Sequence, residues 1–161
     1  MRALRWLALV AVVLAALSLG AGSAAAAGNG RNFVAHLSSG NEVPPHDTGA
    51  QGEAIFHLSP DGSTLHYKLI VANIDDVMVS HIHLGPAGVN GGVVVFLYPG
   101  PTIPGRTDGV LAEGDITQAD LINALAGHPL SDLIAAMATG GAYVNVHTIA
   151  FPGGEIRGQI H

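Results

Sequence analysis

Cysteine is absent, so none of the 161 residues can form a disulfide or a thiolate metal site. Charge is scarce too, at 11% of residues against about 25% in ordinary globular chains. Basic residues are fewest: six Lys and Arg face twelve Asp and Glu, for a formal net charge of −6. So acidic a balance makes anionic membrane surfaces poor partners, and no nucleic-acid partner is expected. The one long apolar run, residues 7–19, is shorter than the roughly 18 residues that a spanning helix needs. Arg2 and Arg5 precede it and small residues ending in 24–27 follow it. Residues 1–27 therefore read as a secretory signal peptide, and residues 28–161 as a single secreted or periplasmic domain with no stable membrane insertion after cleavage. Cleavage would take the formal charge to −8 and remove the only tryptophan, Trp6, while all nine histidines stay.

In what remains, short apolar runs alternate with clusters of Gly, Pro, Asn and Asp, the pattern of an antiparallel β domain. Strands are expected at 33–37, 53–58, 64–71, 77–84, 92–98, 142–148 and 155–160. The 92–98 run is apolar throughout and reads as a central strand buried on both faces. A turn is expected at 73–76, and 99–109 is too rich in Pro and Gly for regular structure. Thr117 with Asp120 three residues later forms a capping box and predicts a helix over 118–126. A second helix, 132–139, opens at Leu130-Ser131-Asp132 and stops at Gly140-Gly141. The expected fold is mainly β, an antiparallel sandwich or a Greek-key-like barrel, with these two short helices.

Histidine is the unusual feature. In Ser80-His81-Ile82-His83, the strand period of two puts both imidazoles on one face with Cα atoms roughly 6.5 to 7 Å apart. Two rings so placed can converge on one ion, and His147, sharing a face with Tyr143 and Asn145, is the best third donor. Three neutral nitrogen donors suit Cu(II), Zn(II) or Ni(II) better than Ca(II) or Mg(II). The alternative is that the histidines bond carbonyls and strand neighbours on a polar sheet face. Glu155 and Arg157, at i and i+2, read as an ion-pair ladder. Glu42 is the candidate carboxylate for orienting a ligating imidazole. The loop Gly85-Pro86-Ala87-Gly88-Val89-Asn90-Gly91-Gly92 lacks the lysine and helix of a phosphate cradle and reads as a hairpin connection whose glycines permit close backbone approach.

Four ordered motifs, Glu42-Val43-Pro44-Pro45, His81-Ile82-His83-Leu84-Gly85, Tyr143-Val144-Asn145-Val146-His147-Thr148 and Gly154-Glu155-Ile156-Arg157-Gly158-Gln159, resemble the CHRD domain family, named after chordin. The resemblance covers about residues 32–161. It implies an extracytoplasmic all-β domain with no settled enzymatic activity, in which His81, His83 and His147 occupy recurrent positions.

Three functional expectations follow. The first is an exported module that binds a transition-metal ion, copper ahead of zinc, through His81, His83 and His147, for sequestration, carriage or sensing. A second is a non-catalytic envelope or extracellular module with structural histidines, engaging a protein partner through the loop after His83 and the 99–109 segment. The third, by analogy with copper–zinc superoxide dismutase, is a copper redox enzyme, although no bridging-histidine motif is visible. A ligand set of ordinary imidazoles would lose its metal below about pH 6.

Overall fold

Alternation of apolar side chains, strand by strand, sets where the core lies. The structure is a computed structural model that describes residues 31–161. The segment read as a signal peptide, 1–27, lies outside the described residues. Strand β1 (Asn32–Ser38) buries Phe33, Ala35 and Leu37 and leaves Asn32 and His36 exposed. Strands β2 (Gln51–Leu58), β3 (Leu65–Leu84), β4 (Gly92–Tyr98), β5 (Ile103–Ile116), β6 (Ala142–Thr148) and β7 (Ile156–Gln159) follow. Phe56, Leu65, Leu69, Ile82, Val144 and Ile156 are each sealed from solvent. Full burial of such side chains contributes about 1.5–3 kcal/mol apiece.

All pairings are antiparallel. The strands run β2-β1-β7-β6-β3, and β2 pairs with β3 as well, which closes a five-stranded barrel. The expectation of a mainly β fold holds, and of its two forms the structure is a barrel rather than a sandwich. Closure depends on the length of β3. Its first part, residues 65–72, pairs with β2, while residues 77–84 pair with β6. Beyond the barrel, β5 lies along the first part of β3 and β4 along the second.

Local composition misleads at four places. Residues 73–76 are not a turn: Asn73 and Asp76 take positive φ of 55° and 52°, and the β3–β5 register shifts around them. They are bulges within one continuous strand, a conformation Asn and Asp tolerate. The 99–109 segment is not loop throughout, because β5 begins at Ile103 and uses Gly105 and Gly109 at positive φ to bend along the bulged partner. Side chains replace the missing ladder bonds there: Gly105 N–H donates to Asp76 and Asn73 N–H to Asp108.

The strand β4 is no central strand. It pairs with β3 alone, and Phe96 is 48% exposed. Its other edge is covered at two points, where Ile122 N–H donates to the Val94 carbonyl and the Asn123 side chain to that of Val93. The same bonds explain why 118–126 is not a helix. The capping box of Thr117 and Asp120 forms, but it starts only a 3-10 turn, Gln118–Asp120, followed by extended Leu121 and Ile122 and a second turn, Asn123–Leu125. Docking to β4 outweighs the weak preference of so short a segment for helix. The second expected helix is present as α1 (Leu130–Ala138), burying Leu130, Leu133 and Met137 and ending at Gly140 with φ of 67°. No helix among the described residues is long and apolar enough to cross a membrane.

Candidate metal centre

The parity that sends Ile82, Val144 and Val146 into the core sends His81, His83, Tyr143, Asn145 and His147 to the opposite face of β3 and β6. Register then fixes neighbours: His81 lies opposite Asn145, His83 opposite Tyr143 and His147 opposite Val79. Three ring nitrogens, one from each of His81, His83 and His147, all lie within 4.8 Å of one another. His81 Nδ1 is 3.1 Å from His147 Nε2. Donors bound at about 2.0–2.1 Å sit at most about 4.2 Å apart, so small side-chain rotations bring the three onto one ion. His81 and His83 are only 8% and 9% exposed, and His147 is partly buried.

Hydrogen bonds select the tautomers. His83 Nδ1 lies 2.9 Å from the Gly91 carbonyl and His147 Nδ1 lies 2.9 Å from that of Pro152. A carbonyl oxygen only accepts, so both Nδ1 atoms carry the proton and both Nε2 atoms present a lone pair. His83 Nε2 is buried and has no hydrogen-bond partner. Such an orphaned acceptor is costly unless something fills its lone pair. Metal-ligating histidines commonly have their other ring nitrogen held in this way.

Burial, together with repulsion by His147 and His83, holds the His81 imidazole down at about 4. His83 is lowered by burial, His147 and Arg157 against the raising effect of the Gly91 carbonyl. His147 is lowered by burial against the Pro152 carbonyl. All three rings are therefore neutral at pH 7, the state a ligand requires.

The surrounding residues hold this set in place. Tyr143 stacks on His83 at 4.8 Å with 10° between the rings, and its hydroxyl accepts from Gly91 N–H at 3.1 Å. The Arg157 guanidinium stands 3.4 Å from the Tyr143 ring centroid, a cation–π contact. Arg157 also donates to the Pro86 carbonyl at 3.0 Å, the Val89 carbonyl at 2.8 Å and Asn90 Oδ1 at 3.1 Å, strapping down the 85–91 loop. That loop ends where Gly91 meets His83. A Cβ on Gly91 would fall 1.5 Å from the Leu84 carbonyl oxygen, so only glycine permits the approach. Phe96 meets the His81 ring edge-on at 4.7 Å, on the outer side of the cluster.

Two sequence-based expectations are overturned here. Glu42 does not orient an imidazole; it accepts from Asn145 Nδ2 at 2.5 Å, and burial pushes its carboxyl up to about 7. The groups that orient the rings are backbone carbonyls, which residue types do not reveal. Nor do Glu155 and Arg157 form an ion-pair ladder. Glu155 accepts from Thr148 Oγ1 at 2.8 Å, while Arg157, 1% exposed, turns to the loop and to Tyr143. The roles of Arg157, Gly91 and Pro152 were missed, and the only signal was the glycine-rich loop itself.

A family model described as CHRD domain matches residues 33–160. No curated protein and no solved structure matches the chain.

Proposed function

The chain belongs to the CHRD domain family, and from that premise we propose that it is an exported domain binding one transition-metal ion, copper ahead of zinc, through His81, His83 and His147. The observation that carries this reading is the convergence of one ring nitrogen from each of His81, His83 and His147, in a cluster where the Nε2 of His83 is buried and partnerless. The residues fit such an ion: three neutral imidazoles, two with Nδ1–H donating to a backbone carbonyl, suit late first-row metals and offer nothing to Ca(II) or Mg(II). Export rests on residues 1–27, whose basic start, apolar run and small-residue end match a secretory signal. The destination is the periplasm or the extracellular space, where a cysteine-free protein holds copper with no thiol to oxidise. Sequestration, carriage or sensing of the ion is the corresponding role.

A second reading, an extracytoplasmic module that docks a protein partner, draws on Val89 and Phe96. They are 50% and 48% exposed, one on the strapped loop and one beside His81. In that reading the histidines are structural. The 99–109 segment no longer serves it as a free loop, since β5 occupies it from Ile103.

Titration of the untagged protein with Cu(II) and Zn(II), followed by metal analysis after desalting, tests the first reading. It expects one tight equivalent in the protein and none in a His81→Ala/His83→Ala/His147→Ala variant. Binding that is non-stoichiometric or survives the triple change would leave the docking module as the better account.

A further inference from the structure

We propose that this site favours a monovalent ion, Cu(I), over divalent ions, and that the charge of Arg157 enforces the preference. The inference rests on the metal reading above and goes beyond it in oxidation state and in the residue responsible. Each of the three donors is neutral. Their other hydrogen-bond partners are the Gly91 and Pro152 carbonyls, and among the described residues no carboxylate is bonded to any of the three rings. No donor therefore cancels the charge of a bound ion, and the His83 Nε2 position is closed to water. The cost of moving an ion out of water rises with the square of its charge, so a dication is penalised far more than a monocation.

Arg157 adds to that penalty. Its guanidinium is 1% exposed and donates only to two carbonyls and the Asn90 side-chain oxygen, so no carboxylate is bonded to it. The buried Glu42, which feels its charge but is bonded to Asn145 instead, offsets it only in part. It stands 3.4 Å from the Tyr143 ring centroid, and that ring stacks on His83 at 4.8 Å. The positive charge thus lies behind the ligand set, separated by one aromatic ring. At about 10 Å and an effective dielectric of about 20, it weakens binding roughly tenfold for each unit of ion charge. Tyr143 and the loop carbonyls fix its position, which makes Arg157 a positioning and charge-setting residue rather than a ligand.

The test is a pair of anaerobic competition titrations, Cu(I) against a Cu(I)-specific chromophoric chelator and Zn(II) against a zinc chelator. Zn(II) is the divalent probe because it has no redox chemistry. The wild-type protein is expected to hold Cu(I) more tightly than Zn(II). Arg157→Met should narrow the Cu(I) to Zn(II) affinity ratio by roughly tenfold, as expected from removing one unit charge at about that distance. Arg157→Lys, which keeps the charge but loses the fork, should preserve the ratio. Val79→Asp leaves the loop strap intact and places a carboxylate opposite His147, on the face of β3 that carries His81; it should also narrow the ratio, and it carries the test if Arg157→Met does not fold. Zn(II) binding as tight as Cu(I) in the wild type, or a ratio unmoved by both Arg157→Met and Val79→Asp, overturns the inference and leaves the metal site standing. Failure of both ions to bind, or binding that survives loss of the three histidines, removes the site and this inference together.

Discussion

His66 and His83 sit on the same strand, β3, in opposite circumstances. His66 lies on the part that pairs with β2 and β5, about half exposed, with its Nδ1 against the Asp115 carboxylate. His83 lies on the part that pairs with β4 and β6, nearly buried, with its Nδ1 against a backbone carbonyl and its Nε2 against nothing. An exposed imidazole beside a carboxylate is an ordinary surface pair, of a kind worth about 0–1 kcal/mol. A buried imidazole with one nitrogen fixed by a carbonyl is a neutral donor with a fixed tautomer, which is what a metal needs. Residue type does not separate the two cases. Burial and the partner on the far nitrogen do.

The comparison is broken most severely by removing the donors. His81→Ala/His83→Ala/His147→Ala should lower metal affinity by more than about a thousandfold, since loss of a mere supporting partner already costs 10–100-fold; equilibrium dialysis with metal analysis reads it. Next comes the carbonyl that distinguishes His83. Gly91→Ala drives a Cβ into the Leu84 carbonyl and should destabilise the fold by about 3–4 kcal/mol in urea unfolding.

Acid sharpens the contrast with a smaller effect. In the unfolded chain, His81 takes up a proton near 6.5, while in the fold it resists until about 4. Between those values the unfolded state binds more protons, so stability is lost as pH falls through that window and is unchanged by this ring above it. The expected loss in the apo-protein is on the order of 2–3 kcal/mol by pH 4.5, measured by urea unfolding at pH 7, 5.5 and 4.5, and the triple variant should flatten it. The same depression moves metal release below the pH of about 6 expected for ordinary imidazoles. His66→Ala marks the smallest effect: stability within about 0.5 kcal/mol of the parent and unaltered metal binding.

Much of this was legible in the chain, and the reason is period. Strand alternation alone places His81 and His83 on one face and Ile82 on the other, and the same rule adds His147 with Tyr143 and Asn145. Alternation likewise located β1, β2 and β6. What stayed hidden depends on contacts between distant segments. Bulges at Asn73 and Asp76 look like a turn because Asn and Asp serve both. The early part of β5 looks like loop because its glycines and Pro104 are counted without the bulged partner that needs them. The capping box at Thr117 is real, yet the helix it announces yields to bonds with Val93 and Val94. Arg157 looks like a surface charge until the 85–91 loop is seen to supply its acceptors.

The central claim is that three particular nitrogens, His83 Nε2, His147 Nε2 and His81 Nδ1, share one ion, and nitrogen-15 NMR of the histidine side chains tests it atom by atom. In the apo-protein the account predicts protons on Nδ1 of His83 and His147. Addition of one equivalent of Zn(II), which is diamagnetic, should then move the signals of those three nitrogens into the metal-bound range and leave His66 unmoved. Protons found on Nε2 of His83 and His147, or ring signals unchanged by saturating zinc and equally by Cu(I), would contradict it.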